Sequence, residues 1–228
     1  METNVLTITS NQVHHVVFLD KQRMQVSDGK AGKIQSIDFP HTLVKDGDIV
    51  DISLFTVALT QWLKSLSLLP GTVSLIIANG IYFGITLSKE TEKNESETKA
   101  FIETVPFSIV RSKQITAGTS TMEIAANKEF YDQVRVILGS CALSVVEVLP
   151  LVVLDDVSAK RWMDSEMVQY ILAHRDTLKH YNMLKPEEIP VFSTSLLVNK
   201  EKPMQIYVLL SIFGGLILIL FYLLLGRP

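Results

Sequence analysis

The side chains with the strongest chemistry in this sequence are not spaced as a reaction centre. His14 and His15 sit side by side in a run of β-branched and apolar residues. Neighbours on a strand point to opposite faces, so the two imidazoles cannot close on one metal ion and read as ordinary strand histidines. His174 and His180 are six positions apart in a stretch of helical spacing, where a shared ligand face needs three or four; they read as exposed polar positions. Asp155 and Asp156 could pair on a divalent cation, but they stand between an apolar strand and a helix expected to begin near Ser158, where a carboxylate serves as a cap. Cys141 has only Arg135 near it among activating side chains, and on an apolar helix face it reads as buried and inert. Asn79-Gly80 is a hairpin-turn signal. No catalytic residue, metal ligand or cofactor is expected, and the chain reads as not an enzyme.

The elements that would position such residues are those of an α/β body. Residues 4–19 are dominated by β-branched side chains and read as two short strands around Ser10-Asn11, or as one strand pair opening an α/β unit. Asp28-Gly29 is a further turn candidate, and Phe39-Pro40 closes a small antiparallel sheet. Asp51 is placed as the N-cap of an amphipathic helix whose stripe runs through Leu54, Phe55, Ala58, Leu59, Trp62, Leu63 and Leu66, stopping at Pro70-Gly71. Two strands flank Asn79-Gly80. The charged run 88–99 reads as a solvated loop or helix start, and residues 97–105 as a short helix ending before Pro106. Two strands then surround residues 116–120. Asn127 caps a second helix with Phe130, Val134, Ile137, Leu138 and Cys141 inward, and an apolar strand follows. Residues 158–184 have helical spacing and read as a peripheral helix; residues 185–203 read as a linker.

Composition narrows the class. The chain of 228 residues has 21 basic and 24 acidic side chains, and without Arg227 the remainder carries about −4. The positives at Lys21, Arg23, Lys30 and Lys33 alternate with Asp20 and Asp28, so no basic stripe exists and nucleic acid is not an expected partner. One cysteine and no basic n-region or uninterrupted apolar h-region suit a reducing compartment and a body that stays in the cytoplasm.

Residues 206–225 (IYVLLSIFGGLILILFYLLL) carry no charge. At about 1.5 Å rise each, twenty residues span about 30 Å, the thickness of a bilayer's hydrocarbon core. Tyr207 and Tyr222 fall near the two ends, where amphipathic rings favour the headgroup level. A membrane partner is therefore expected. Within this segment Ser211, Gly214 and Gly215 give a small-xxx-small pattern, which lets two membrane helices approach and points to self-association or pairing with another helix. If residue 228 is the true terminus, tail-anchored insertion is expected.

The order of signals from residue 4 to about 154 resembles the first half of the actin-like pilus-assembly proteins of the PilM family, and more distantly the cytoplasmic part of the type II secretion protein GspL and the cell-division protein FtsA. The matching pieces are VKDGDIVD with the helix after it, VSLIIANGIYFGITLS, FIETVPFSI, and MEIAANKEFYDQVRVILGSCALSVVEVLPLVVL. The resemblance implies a partial actin-like domain of ribonuclease H-like and SHS2-like type over residues 1–154, followed by the peripheral helix 155–184, the linker 185–203 and a transmembrane helix 204–225. Actin-like ATPases begin with a strand leading into an Asp-x-Gly phosphate turn, where glycine permits close backbone approach and the carboxylate helps hold Mg²⁺. Aligned on residues 7–11, Thr7 stands where the Asp would be and Thr9 where the Gly would be, so the turn reads as dismantled. The family's second half has no counterpart.

The resemblance implies a single-pass protein of the bacterial inner membrane with a cytoplasmic body. It would act as a non-catalytic scaffold in type IV pilus or type II secretion-like assembly, with pilus or secretion assembly proteins as partners. The alternatives are a nucleotide-binding actin-like protein completed by a partner chain, and a tail-anchored adaptor unrelated to pili.

Overall fold

A strand that is apolar on both faces must be covered on both, and the first described strand is of that kind. The computed structural model describes residues 13–28, 33–87, 91–117, 120–154, 157 and 159–190, with backbone only for 91–94 and 117. Strand β1 (Val13–Asp20) pairs antiparallel with β2 (Arg23–Ser27), and β2 with β3 (Ile34–Asp38). Val16, Val17, Phe18 and Leu19 are all fully buried, so β1 lies inside a sandwich rather than on a half-solvated sheet. The turn expected at Ser10-Asn11 precedes the described part, in which residues 13–20 form one strand that turns back at Lys21-Gln22. Residues 1–12 lie outside the described residues.

Two short strands, β4 (Val44–Lys45) and β5 (Asp48–Ile49), form a small ribbon before helix α1 (Ile52–Ser65). Asp51 caps α1 as expected, its side chain accepting from the Leu54 amide at 2.9 Å. The stripe is narrower than expected. Phe55, Leu59 and Leu63 are buried, but Leu54 is 55% exposed and faces away from the core. After α1, β6 (Gly71–Ile77) inserts parallel to β1, with His15 opposite Val73 and Leu19 opposite Ile77. At Gly71 a Cβ would stand 2.2 Å from the Val13 carbonyl oxygen, so only glycine lets the two strands start side by side.

The strands flanking Asn79-Gly80 exist, but the hairpin does not. Strand β7 (Tyr82–Thr86) belongs to a second, three-stranded sheet ordered β7, β9, β8, and the turn carries the chain from one sheet to the other. Gly80 has φ of 96°, the left-handed region, which explains the glycine without requiring strand pairing. The charged run is the start of one helix, α2 (Thr91–Thr104), ending before Pro106. Strands β8 (Val110–Ala117) and β9 (Ser120–Asn127) form the expected hairpin, with Ala117 opposite Ser120.

Asn127 then caps α3 (Lys128–Ser140) through its side-chain oxygen on the Phe130 amide at 3.0 Å, again as expected. Phe130, Val134, Ile137 and Leu138 are buried, whereas Cys141 is half-buried at the C-cap rather than fully enclosed. Strand β10 (Leu143–Pro150) completes a five-stranded mixed sheet in the order β10, β6, β1, β2, β3, parallel over its first three members. Helices α1 and α3 share one face, where Phe39, Phe55 and Phe130 pack with centroids 5.3 to 6.4 Å apart.

The other face is covered by residues 160–184, which are not one peripheral helix. They contain α4 (Ser165–Ala173), the single-turn α5 (Arg175–Leu178) and a 3-10 turn (Lys179–Tyr181). The apolar periodicity reflects burial of Met163, Met167, Val168, Ile171, Leu178, Met183 and Leu184 in the same core, which a bent path satisfies as well as a straight one. Residues 185–190, expected to be linker, are fastened to the body: Arg111 Nε donates to the Met183 carbonyl at 2.9 Å and its guanidinium pairs with Glu188 at 3.3 Å, while Arg135 donates to the Glu188 carbonyl at 2.7 Å. Residues 191–228 lie outside the described residues. The transmembrane expectation for 204–225, with Ser211, Gly214 and Gly215, falls there. Among the described residues no helix is long and apolar enough to cross a membrane.

Candidate functional site

In an open α/β sheet, ligands bind beyond the carboxyl ends of the parallel strands, and here β1, β6 and β10 all end at one cleft. Asp20, Gln22, Arg23, Ala78, Asn79 and Leu151 line it from the sheet side, and residues 159–162 close it; its volume is about 410 Å³. The strand that enters it is β1, so the turn to compare with an Asp-x-Gly phosphate turn is Asp20-Lys21-Gln22. It holds a carboxylate and no glycine, while residues 7–11, aligned with that turn from the sequence, lie outside the described residues. Asp20 accepts from the Gln22 amide at 2.9 Å, holding the turn tight. Lys21 lies over the next turn, where a Cβ on Gly80 would meet its Cδ at 3.3 Å. A phosphate would face side chains where a glycine turn would offer backbone amides.

Two of the three cations lining this cleft, Arg23 and Lys160, have partners, and Arg161 is exposed. Arg23 pairs with Asp38 at 3.2 Å and stacks its guanidinium over Trp162 at 5.4 Å. Lys160 is held between Asp164, at 2.6 Å, and Glu166. Asp164 also caps α4 through the Met167 amide at 2.9 Å, so the ion pair and the helix start reinforce each other. An incoming anion would have to displace these carboxylates. Asp155 and Asp156 lie outside the described residues.

A second concavity, of about 300 Å³, lies between β5, the starts of α1 and α3, and the chain entering β8. Ile49, Ile52 and Phe130 give it an apolar floor, Asp48 and Glu129 an acidic rim, and Ser108, Asn127 and Gln133 its polar walls. Besides capping α3, Asn127 donates to the Gly47 carbonyl at 3.2 Å. Arg111, Lys113 and Arg135, from β8 and α3, fasten residues 180–188 nearby, with Lys113 donating to the His180 and Asn182 carbonyls at 2.9 and 2.7 Å.

The histidine pair behaves as its strand parity requires. His15 faces the α1 side, its Nε2 bonding the Leu69 carbonyl at 2.8 Å. His14 faces the other way, between Thr72 at Nδ1 and Ser74 at Nε2, both at 2.7 Å. The Ser74 hydroxyl donates to Glu147, so it accepts from His14 Nε2–H, and in the neutral ring Nδ1 accepts from Thr72. Burial first, then the charges of Arg175 and His15, push the His14 pKa down to about 3. Glu147 reaches this face because a β-bulge at Val146 shifts its register: Val145 lies opposite Val73, but Glu147 lies opposite Ser74. Burial raises its pKa, opposed by the Ser74 hydrogen bond and by Arg175 and Lys179.

Serine, histidine and a carboxylate thus meet, but serine stands between the other two and is fully buried. In nucleophilic catalysis the histidine bridges, and the hydroxyl must reach substrate. The array is a buried polar tie across β1, β6 and β10. Sequence reasoning missed Thr72, Ser74 and Glu147, although a glutamate inside the apolar run SVVEVLP was a signal. His174 and His180 are exposed and share no ligand face; His174 stacks on Tyr170 at 4.3 Å. Among the described residues no cluster of His, Cys, Asp or Glu could hold a metal.

No family model and no curated protein matches the sequence. Among solved structures the chain is similar to the cytoplasmic domain of EpsL, an inner membrane component of the type II secretion system of Vibrio cholerae, at 12% identity and a TM-score of 0.37, over 62% of this chain and 58% of that one. It is also similar to a PilM–PilN type IV pilus biogenesis complex, at 15% identity and a TM-score of 0.40, over 60% of this chain and 46% of that one. The chain spans about half the length of these solved chains.

Proposed function

We propose that this chain is a membrane-anchored, non-catalytic cytoplasmic scaffold in the assembly of a type IV pilus or a type II secretion-like machine. The observation that carries the non-catalytic part is the β1–β2 turn. Asp20-Lys21-Gln22 has no glycine to bring backbone amides to a phosphate, and two of the cations around it, Arg23 and Lys160, are engaged by Asp38, Asp164 and Glu166. The assembly role is supported by the resemblance of residues 4–154 to the pilus family, in which the actin-like protein binds a short cytoplasmic tail of a membrane partner. The groove between the starts of α1 and α3, with an apolar floor and an acidic rim, suits a tail carrying apolar and basic side chains. Residues 206–225 would hold this docking surface at the inner membrane and raise local concentration by tethering.

The test is affinity capture of the full chain from membranes of its own host after mild cross-linking. Recovery of pilus or secretion assembly proteins is expected. Repeated capture of a different protein set favours a tail-anchored adaptor of another system and contradicts the proposal.

One observation favours a second reading, a nucleotide-binding protein completed by a partner chain: Asp20 keeps a carboxylate at the mouth of the cleft, where Mg²⁺ would be held. Thermal stabilisation of the full chain by Mg·ATP, alone or with its captured partners, and lost in Asp20→Asn, supports that reading. Its absence in both settings supports the scaffold.

A further inference from the structure

A helix that packs on one side and meets water on the other normally carries its charges outward. Helix α1 does not. Phe55, Leu59 and Leu63 are buried, yet Leu54 and Val57 on the opposite side are 55% and 52% exposed, and Val50 just before the helix is 57% exposed. Residues 52–63 contain no charged side chain at all. Leu54, Val57, Gln61 and Lys64 recur at alternating steps of three and four, the spacing with which one helix packs along another. The charges flanking this seam are at its two ends: Asp51 at the N-cap and Lys64 in the last turn.

We propose that this outward face of α1 is a self-association surface, on which a second copy of the chain packs its own α1 antiparallel about a two-fold axis. The charge pattern selects that occupant. In a two-fold interface the same patch meets itself, with residue i against j and j against i, so a face without charge incurs no like-charge repulsion. An axis passing beside Val57 sets Leu54 of each copy opposite Gln61 of the other. It also sets Asp51 opposite Lys64 twice, because 51 and 64 are equidistant from 57.5. Among the described residues Lys64 has no carboxylate partner of its own. An anionic bilayer would need a basic face, and this one has a single lysine. The Ser211-x-x-x-Gly215 pattern in the apolar segment is a separate sequence signal for two copies meeting, and a shared membrane tether raises the effective concentration of the two bodies. The inference does not depend on the machine in which the chain works.

The test is cysteine cross-linking of the full chain in reconstituted bilayers, in a Cys141→Ser background. Val57→Cys is expected to give at least five-fold more oxidised dimer than Lys99→Cys on the exposed face of α2. Leu54→Cys mixed with Gln61→Cys is expected to cross-link more than either alone. Lys64→Glu should lower the Val57→Cys yield several-fold by opposing Asp51, and adding Asp51→Asn, which keeps a good N-cap, should restore part of it. A Val57→Cys yield no higher than that of Lys99→Cys overturns the proposal. So does a yield indifferent to Lys64→Glu, and so does Leu54→Cys cross-linking best with itself, which would mean parallel packing.

Discussion

Burial, with the charges of Arg175 and His15, holds His14 neutral between Thr72 and Ser74 inside the sheet, and this has a measurable sign. Its folded pKa of about 3 lies below the unfolded value of 6.5, so the unfolded chain binds the extra proton between those limits. Stability from this site is present above about pH 6.5 and is lost as pH falls toward 3. The midpoint of thermal unfolding should therefore fall more steeply from pH 7 to pH 4 in the wild type than in His14→Gln; parallel curves would contradict the assignment. Glu147 works in the opposite sense. Its pKa is raised, so its contribution is present at acidic pH and declines as pH rises through the folded value, and Glu147→Gln should gain on the wild type as pH increases. The two caps were legible in the sequence because Asp51 and Asn127 precede periodic apolar runs, a purely local signal. The His14 tie was not, because it joins three strands and depends on a bulge that re-aims Glu147. Asn127→Ala removes the cap and leaves the Gly47 carbonyl short of a donor in a buried place, which should cost about 2 kcal/mol in denaturant unfolding.

At the scale of elements, the fold depends on strands from distant parts of the chain lying close together. Gly71→Ala would drive a Cβ into the Val13 carbonyl, where backbone and not a flexible side-chain end must move, so a loss above about 3 kcal/mol or failure to accumulate is expected. The C-terminal strap, residues 179–190, is held by Arg111, Lys113 and Arg135 against β8 and α3. Arg111→Met should leave the core folded and speed proteolytic cleavage within 179–190, read as a limited-digestion rate; an unchanged rate would show that the strap is held elsewhere. Helix α1, α3 and the β8–β9 hairpin were readable because period and turn chemistry agree within a dozen residues. Residues 158–184 were not. Their apolar spacing satisfies a helical count, but it is set by the sheet face they cover, and the chain bends at His174 to follow it. Leu54 failed for a related reason: an apolar side chain at helical spacing carries no mark of whether its face meets the core or another molecule.

For the described body, a five-stranded mixed sheet covered on both faces is joined by a second small sheet, and a groove opens between the starts of α1 and α3. The α/β class was visible in the alternation of strand and helix signals, whereas the division into two sheets was not, because Asn79-Gly80 has the chemistry of a hairpin and the geometry of a crossing. The central claim is that this body works by docking an assembly partner. The most direct measurement is site-specific photo-cross-linking of the full chain in host membranes, with the probe at Ser108 in the groove and at Lys99 on α2 as control. The account predicts a discrete adduct at Ser108, absent at Lys99, that contains a pilus or secretion assembly protein. No adduct at Ser108, or one with a protein of neither system, would contradict it.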